Sequence, residues 1–346
     1  MLRGGVDFVV LLNLSDDITY NHIISVVNLL GAWLEFLRGK RKRHDVELFQ
    51  VQLMDNILIL QTDLKNQTYV HGPYEAFNIS DPKPRNIHKA SVRDRLLHHA
   101  IYLQMYPFFD RKFIVHSYSC RENKGTHKAL QAYTTMARKV SVNRTKTGWV
   151  LKCDIRKFFA SIDQEILLKI LRKQIADKNV LWLIGQVIKS FSTEPGKGLP
   201  LGNLTSQLLV NVYMNEFDQF IKHTLKVKFY IRYADDFVVL SRDKNYLEVV
   251  LGQIRQFLGE KLALQLHPKK VSISTVASGV DFLGWVHFPQ HLVLRTVTKQ
   301  RMLRNTNDCA IGSPTVQSYL GMLKHGDGYG LAQEITEGLI NETETR

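Results

Sequence analysis

The sequence KFYIRYADDFVVL, residues 228–240, joins two apolar runs through a pair of adjacent acids. Aromatic and β-branched residues on both sides predict two strands, and the short break at residues 234–236 predicts a tight hairpin. Asp235 and Asp236 then lie at or beside the hairpin tip. Adjacent carboxylates repel each other and are costly to bury unpaired, whereas Mg²⁺ prefers oxygen ligands. The pattern therefore predicts a metal site, with an ordinary exposed turn as the alternative.

A second strand ending in an acid lies upstream. Residues 149–155, WVLKCDI, form an apolar, β-rich run that reaches Asp154, and a helical pattern follows at residues 166–175. One acid from this strand and two from the hairpin form the minimal set for a two-metal phosphoryl-transfer centre. The alternative for Asp154 taken alone is the N-cap of a helix.

These motifs resemble the palm motifs of reverse transcriptases. The resemblance rests on Tyr-Ala-Asp-Asp at residues 233–236 and on Asp-Ile-Arg-Lys-Phe-Phe at residues 154–159. The order of further motifs, over roughly residues 30–335, resembles the bacterial group II-intron-like branch. The resemblance implies an α+β fold of the right-hand polymerase type, with fingers, an antiparallel palm sheet with helices, and a helical thumb.

In that family two Mg²⁺ ions lie at the palm acids. The resemblance therefore implies that Asp154, Asp235 and Asp236 bind both ions and that Ile155 contributes its backbone carbonyl. The run LALQLHPKKVSI, residues 262–273, resembles the next palm motif and makes Lys270 the candidate that protonates the leaving pyrophosphate. A surface lysine is the alternative for Lys270.

Composition favours a polyanionic partner. The 346 residues carry 46 Lys and Arg against 32 Asp and Glu, a formal net charge of +14, and nucleic acid is the leading candidate for such a chain. No apolar run is long enough to span a bilayer, and the short run at residues 6–12 is a poor signal peptide. The three cysteines have no metal-ligand spacing, which predicts free thiols in a cytoplasmic protein. The resemblance implies a bacterial, archaeal or phage-encoded enzyme.

Three regions are candidates for binding the incoming nucleotide. The sequence PKPRNIHKA, residues 82–90, resembles the first fingers motif, in which basic residues grip the triphosphate; by position these are Lys83 and Arg85. Ser91 is expected to cap the following helix. Phe159 occupies the position where the family places a ring under the sugar and so selects deoxynucleotides sterically. Plain surface charge is the alternative for the two cations.

The third region is the loop GKGLPLGNLTSQ, residues 196–207, which enters a long amphipathic helix. Leu201 and Gly202 lie where the family contacts the nascent base pair. Group II-intron enzymes carry Gln before this glycine and Pro where this chain has Gln207. This chain departs from that pattern at both positions, and so do the reverse transcriptases of diversity-generating retroelements. Leucine discriminates only by shape, which predicts low fidelity and, by resemblance, misincorporation opposite template adenines. Simple packing of Leu201 is the alternative.

Contacts to template and primer are assigned by resemblance and charge. Arg121 lies in the motif SYSCRENKGTHKA, residues 117–129, which resembles the second fingers motif; Tyr233 belongs to the catalytic motif and Gly284 to a candidate primer-gripping hairpin. Arg295 and Arg301 lie in a basic tail that resembles a thumb and are candidates for duplex phosphates. Structural turns are the alternative at Arg121 and Gly284.

The predicted organisation is one continuous polymerase core in four parts. Residues 1–80 form an N-terminal extension leading into the fingers, 81–148 the fingers, 149–290 the palm with a fingers insertion at about 165–200, and 291–346 the thumb. Helices are predicted over residues 23–37 and 46–64, and strand and turn over residues 69–74. No maturase or endonuclease pattern follows residue 346, which argues against a self-sufficient intron protein.

The predicted function is RNA-directed DNA synthesis, most like that of a diversity-generating retroelement and its mutagenic retrohoming. The implied partners are template RNA, the RNA/cDNA duplex, deoxynucleoside triphosphates and a small basic, oligomeric accessory protein, without a membrane. One alternative is a group II-intron-like or phage-defence reverse transcriptase. Another, of a different class, is a non-catalytic RNA-binding protein on a polymerase scaffold.

Overall fold

The computed structural model describes residues 17–80, 84–307 and 309–344. Lys83 and the apolar run at residues 6–12 lie outside these ranges. The chain divides into two compact units, each assembled from separate segments. The first unit comprises Met1–Ile114, Arg156–Phe220 and Phe257–Gln265, and the second comprises Val115–Ile155, Ile221–Gln256 and Leu266–Arg346. The four-part division of the chain remains a prediction.

Helices and strands alternate irregularly along the chain, as in an α+β protein. The helices are α1 (Tyr20–Ile23), α2 (Val26–Phe36), α3 (His44–Val51), α4 (Leu53–Lys65), α5 (Val92–Asp110), α6 (Thr126–Val140), α7 (Phe158–Ser161), α8 (Gln164–Gln174), α9 (Lys178–Lys189), α10 (Leu204–Gln219), α11 (Lys244–Leu262), α12 (Thr296–Thr306), α13 (Pro314–Leu323) and α14 (Tyr329–Glu344). The strands are β1 (Glu75–Ile79), β2 (Arg85–Lys89), β3 (Trp149–Asp154), β4 (Phe229–Tyr233), β5 (Asp236–Ser241), β6 (Ser272–Thr275), β7 (Val280–Phe282), β8 (Trp285–His287) and β9 (Leu292–Leu294).

A four-stranded antiparallel sheet forms the centre of the second unit. Its order is β4-β5-β3-β6, so the strand that carries Asp154 is paired on both sides. Val150, Ile231 and Val238 project from three strands into one buried cluster, which α6 covers with Tyr133 and other apolar residues. β-Branched side chains pack well on such a half-covered sheet, which is why the apolar runs in the sequence become strands.

Two further parts of the second unit follow the main sheet. Strands β7, β8 and β9 form a small antiparallel sheet in sequence order. Leu283 and Gly284 lie in the turn between β7 and β8 with φ of +53° and +87°, values suited to the turn that joins two strands through two residues. Helices α12 to α14 bury a separate apolar cluster around Met302, Val316 and Leu323.

The first unit is largely helical, and its helix α5 packs against α1, α2, α3 and α10. Ser91 caps this helix, since its Oγ accepts a hydrogen bond from the backbone N–H of Asp94, as the sequence predicts. The Asp94 carboxylate is 1% exposed and accepts hydrogen bonds from Tyr69 Oη at 2.7 Å and Ser91 Oγ at 2.6 Å. A buried carboxylate with several donors fixes the chain that leads into the β1–β2 hairpin.

Three local predictions for the first unit were wrong in detail. The helix expected over residues 46–64 is two helices, α3 and α4, which meet at Gln52 with φ of −116° and ψ of 40°. The helix expected over residues 23–37 starts anew at Val26, after the N-cap Ser25. Residues 69–74 form no strand, because side-chain bonds such as that from Tyr69 to Asp94 hold them instead of a ladder.

No helix in the described ranges combines the length and the apolar character needed to cross a membrane. Cys120, Cys153 and Cys309 are free thiols, as the sequence predicts.

Candidate active site

Three carboxylates meet at one end of the central sheet of the second unit. Asp154 is the last residue of β3 and pairs directly with Asp236, the first residue of β5. Directly opposed residues of antiparallel strands have Cα atoms about 4.5–5.5 Å apart. Asp235 lies between β4 and β5 in the turn, and its carbonyl accepts a hydrogen bond from the Ile155 N–H at 3.1 Å. The sheet register therefore brings the three predicted metal ligands together.

The turn is tight because Ala234 adopts the left-handed region, with φ of +54°. A non-glycine residue at such a φ is uncommon and needs support from its surroundings. Arg232 gives that support, since its Nη1 donates to the Ala234 carbonyl at 3.2 Å and its Nη2 donates to Ser117 Oγ at 2.9 Å. The guanidinium is fully buried, at 0% exposure.

Asp236 is held in an environment that disfavours its charge. Burial raises the pKa of its carboxyl to about 7; Lys152 opposes this rise, whereas Asp154, Asp235 and Asp281 add to it. Lys152 Nζ lies 3.9 Å from Asp236 Oδ2, while Oδ1 is buried without a hydrogen-bond partner. An orphaned carboxylate oxygen among acids is the electrostatic situation that a cation relieves.

Asp154 is paired with a lysine. Lys270 Nζ donates to both carboxylate oxygens of Asp154 at 2.9 Å, and the backbone N–H of His267 donates to the Asp154 carbonyl at 2.7 Å. The Lys270 side chain is 45% exposed and long, so it can move aside when both oxygens bind a metal. The sequence predicts that Lys270 lies near the leaving pyrophosphate. In the structure its ammonium group binds Asp154, one of the predicted metal ligands.

These donors fit a hard divalent cation, although no group of three or more His, Cys, Asp or Glu side chains in the described ranges is already arranged as a metal cage. The ion pair between Lys270 and Asp154 occupies ligand oxygens. The fit rests on oxygen-only donors and on the unpartnered Oδ1 of Asp236. Mg²⁺ is held by one or two carboxylates plus substrate phosphates and does not need a closed protein cage.

Sequence reasoning missed the cations that support the site. Lys152 Nζ donates to the backbone carbonyl of Asp281, and so ties strand β3 to the β7–β9 sheet. Lys152 is the one charged residue of β3 before Asp154, and Arg232 is the one charged residue of β4, which leads to Asp235. That isolation is a usable signal, because a cation is tolerated inside a sheet only when partners compensate its burial.

All the predicted template and primer residues except Gln207 belong to the second unit. Arg121 Nη1 donates to the Ser117 carbonyl at 3.0 Å, within a segment whose backbone pairs with Arg232 of β4. The Tyr233 hydroxyl accepts from Thr126 Oγ1 at 3.3 Å, at the start of α6.

Farther along the second unit, Gly284 leaves open space where a side chain would stand, and its carbonyl accepts from the Arg295 N–H at 3.1 Å. Arg295 Nε donates to Asp281 Oδ1 at 2.9 Å, so this candidate phosphate ligand already has an acidic partner. Arg301 is partly buried on α12.

The predicted nucleotide-binding residues gather in the first unit. The Leu201 carbonyl accepts from the His88 N–H of β2 at 3.0 Å, and the Leu199 N–H donates to the Phe159 carbonyl at 2.9 Å. Gly202 has a φ of +103°, and a Cβ there would stand 2.8 Å from Ile87, so any side chain would strain this junction. The middle of the loop is thus bound on one side to α7 and on the other to β2.

The remaining nucleotide and template candidates of the first unit are more exposed. Arg85 begins β2 and is exposed, and Gln207 is half-buried on the first turns of α10. Lys83, their predicted companion, lies outside the described residues.

Comparison with known proteins identifies the family. Residues 79–287, well over half of the chain, match the family described as "Reverse transcriptase (RNA-dependent DNA polymerase)". The chain belongs to this family. This reverse transcriptase thus has the enzyme class of an RNA-directed DNA polymerase, and the matched range contains all three carboxylates.

Its relatives include bacterial and intron-encoded proteins. Protein YkfC of Escherichia coli is 27% identical over 277 residues, which cover 68% of this chain and 72% of that protein. The group II intron-encoded protein LtrA of Lactococcus lactis is 22% identical over 294 residues, covering 64% of this chain and 48% of LtrA. The putative COX1/OXI3 intron 1 protein of Saccharomyces cerevisiae is 23% identical over 332 residues, covering 90% of this chain and 37% of that protein. The chain thus spans less than half of either intron protein.

Replacing Asp236 by Asn should stabilise the metal-free reverse transcriptase while abolishing synthesis. Folding raises the pKa of Asp236 from 3.8 to about 7, so the group costs nothing below pH 3.8, destabilises the fold increasingly between these values, and does so fully above pH 7. In EDTA, Asp236→Asn should therefore raise the unfolding free energy at pH 8 by on the order of 2 kcal/mol, with a smaller gain at pH 5.

Thermal unfolding at both pH values measures the change in unfolding free energy. Glu248→Gln, at an exposed position of α11, is the charge-matched control. Equal stability of Asp236→Asn and the native protein at pH 8 would contradict the proposed burial of an unfavourable charge.

Replacing Arg232 by Met should weaken both the fold and the activity. The change keeps the apolar stem and removes the donors to Ala234 and Ser117, so the unfolding free energy should fall by roughly 2–4 kcal/mol and the turn bearing Asp235 should loosen. Urea unfolding and primer extension measure the two effects, with exposed Arg242→Met as control. A variant as stable as the native protein would show that the turn does not need this support.

Proposed function

We propose that the chain copies RNA into DNA at a two-metal centre formed by Asp154, Asp235 and Asp236. The observation that carries the proposal is the register that opposes Asp154 and Asp236, together with the unpartnered Oδ1 of Asp236. Two Mg²⁺ ions, when bound, supply activation of the attacking hydroxyl and stabilisation of the leaving pyrophosphate. Ile155 follows Asp154 directly and is the residue whose carbonyl completes the ligand set.

The chain's own side chains have separate tasks in this proposal. Lys152 limits the repulsion among the acids, because its ammonium lies 3.9 Å from Asp236 and bonds to the Asp281 carbonyl. The ammonium group of Lys270 is the proton donor of the site. Once released from Asp154, it can protonate the leaving group as a general acid. Arg232 holds the turn that presents Asp235.

The architecture that suits this reaction is a right hand. The central sheet of the second unit corresponds to a palm, the β7–β9 sheet with Gly284 to a primer-gripping element, and α12 to α14 with Arg295 and Arg301 to a thumb. The first unit supplies fingers residues. There Phe159 screens the sugar, Arg85 and Lys83 bind the triphosphate, and the loop of Leu201 and Gly202, held to β2 by the bond from His88, contacts the base pair.

The branch of the family that fits best is the group II-intron-like one. The relatives are YkfC and intron-encoded proteins, and this pattern supports the alternative over the retroelement that the sequence motifs favoured. Template RNA, the RNA/cDNA duplex and deoxynucleoside triphosphates are the substrates in either case. A basic accessory protein belongs only to the retroelement hypothesis.

Error-prone synthesis in a diversity-generating retroelement remains a second candidate, favoured by two residues. Leu201 and Gln207 depart from the group II-intron pattern, and Leu201 lies in the loop that bonds to β2. An apolar side chain there offers no hydrogen bond to a nascent base pair.

Catalysis is tested by extension of oligo(dT) on poly(rA) with Mg²⁺. Asp235→Asn removes a proposed metal ligand and should lower the extension rate at least about a hundredfold, since stabilisation by a metal ion is worth several kcal/mol. Glu248→Gln, an exposed change of the same kind, should leave the rate unchanged. Native protein that binds the duplex but extends nothing would favour the non-catalytic RNA-binding alternative.

Fidelity is tested separately by sequencing cDNA made by the Leu201→Gln variant. A polar amide restores hydrogen bonding to the base pair, so substitutions at template adenines should fall roughly five- to a hundredfold, the range of about 1–3 kcal/mol of discrimination. Leu204→Gln, a half-buried change three residues away, is the control. An unchanged error spectrum would remove the retroelement hypothesis and leave the polymerase assignment standing.

A further inference from the structure

Exposed aliphatic side chains concentrate in the N-terminal helices of the first unit. Among the described residues fifteen large hydrophobic side chains are exposed, and seven of them lie between residues 27 and 59. Single exposed hydrophobic residues need no explanation, but a concentration of this kind marks an interaction surface. The seven residues are Val27, Leu34, Leu48, Val51, Met54, Leu58 and Ile59.

Four of these residues define a surface that we name the α3–α4 face: Leu48, Val51, Met54 and Leu58. Their exposed fractions are 62%, 83%, 48% and 45%. Leu48 and Val51 are three residues apart on α3, and Met54 and Leu58 are four apart on α4, so each pair lies on one side of its helix. The same helices already bury another side through Val46, Ile57, Leu60 and Leu64. The exposed apolar residues of each helix are therefore additional to those that attach it.

A basic segment adjoins the α3–α4 face. Arg41, Lys42, Glu47 and Gln50 line one open depression of about 550 Å³ together with Val51. The most exposed apolar side chain of the first unit thus lies beside two cations. Residues 38–43 hold five Lys or Arg and no acid, as the sequence RGKRKR shows.

Apart from Glu47 in the depression itself, the nearby acids already have cationic partners, so most of this charge is uncompensated. Asp45 already binds Lys89 Nζ at 3.0 Å and Arg95 Nη2 at 2.6 Å, and Glu35 pairs with Arg38 at 2.6 Å. A partner that covers the α3–α4 face therefore meets positive charge at its edge, and carboxylates there would complement it.

We propose that the α3–α4 face binds an amphipathic helix of a partner protein, with leucine-like side chains on the four apolar residues and carboxylates against Arg41 and Lys42. Helices commonly bind apolar surfaces through residues spaced by three, four and seven. A nucleic-acid partner fits less well, because unpaired bases stack on aromatic rings and the seven exposed side chains are all aliphatic or Met. An anionic membrane also fits less well, because its continuous negative surface would meet Glu47 and the exposed Asp55 as well as the cations, whereas a helix can place its carboxylates on Arg41 and Lys42 alone.

A designed peptide tests the proposal on the full chain. The probe is a fluorescent helical peptide of about 18 residues, or five turns, with one leucine stripe flanked by glutamates. A matched peptide carries lysine at every glutamate position. Fluorescence anisotropy should show saturable binding of the glutamate peptide, weakened by salt, and at least tenfold weaker binding of the lysine peptide.

Variants locate the binding. The double change Val51→Ser with Met54→Ser should weaken peptide binding at least about tenfold, because it removes two apolar side chains that the bound peptide would bury. The double change Arg41→Glu with Lys42→Glu should weaken binding to a similar extent, because it removes the cations that face the glutamates of the peptide. Val249→Ser, an aliphatic change on α11 whose exposure lies between those of Val51 and Met54, should leave binding unchanged. All variants should retain primer extension, since none lies in the proposed catalytic machinery, and this confirms that they fold.

Several results would overturn the proposal. One is no saturable binding of the glutamate peptide, and another is equal binding of the lysine peptide. Sedimentation showing a dimer that the Val51 and Met54 changes dissociate would identify a second copy as the occupant. Binding only after removal of residues 1–16 would assign the face to the chain's own N-terminal segment. Sedimentation with phosphatidylserine vesicles that depends on the same four residues would assign it to a membrane.

Discussion

The repulsion among three carboxylates at one end of a sheet governs the rest of the second unit. Asp236 is half-buried beside Asp154 and Asp235, and its pKa, raised to about 7, reflects the cost of charging it there. A sheet that needed only stability would place an apolar residue at this position. The surrounding structure therefore has to hold the acids together despite their charges, and the supporting contacts can be understood as answers to that requirement.

Three cations answer it in different ways. Lys152, on β3, offsets the negative charge of Asp236 and at the same time binds the Asp281 carbonyl, which ties β3 to the β7–β9 sheet. Arg232, fully buried, acts on the backbone and holds the carbonyl of the left-handed Ala234. Lys270 pairs with Asp154 from a half-exposed position. Arg232 and Lys152 are fixed by their partners, whereas Lys270 has the freedom that the proposed proton donor needs.

The parts of the site that the sequence predicts are those encoded locally. The hairpin of β4 and β5 follows from two apolar runs and a short turn, and the strand ending at Asp154 follows from its own pattern. The bond between Lys152 and Asp281 joins residues 129 positions apart, so no local pattern indicates it. The break at Gln52 was missed for a related reason: the apolar spacing of residues 46–64 continues through it, whereas the backbone does not. Tertiary contacts override periodicity at such points.

The proposed catalytic centre fits the family but carries little information about the branch. The proposed two-metal chemistry would impose the same acids on every active member, so Asp154, Asp235 and Asp236 cannot separate an intron-related enzyme from a retroelement enzyme. Residues that distinguish the branches lie at positions where the reaction does not dictate the side chain. Leu201 is such a position, because its carbonyl accepts the bond from β2 whatever its side chain is. The backbone there fixes the loop, and in the proposed function the side chain alone decides what the base pair meets. Under that proposal, likeness over most of the chain and the identity of this one side chain report different properties, ancestry in the first case and fidelity in the second. An enzyme related to intron-encoded proteins can still be error-prone.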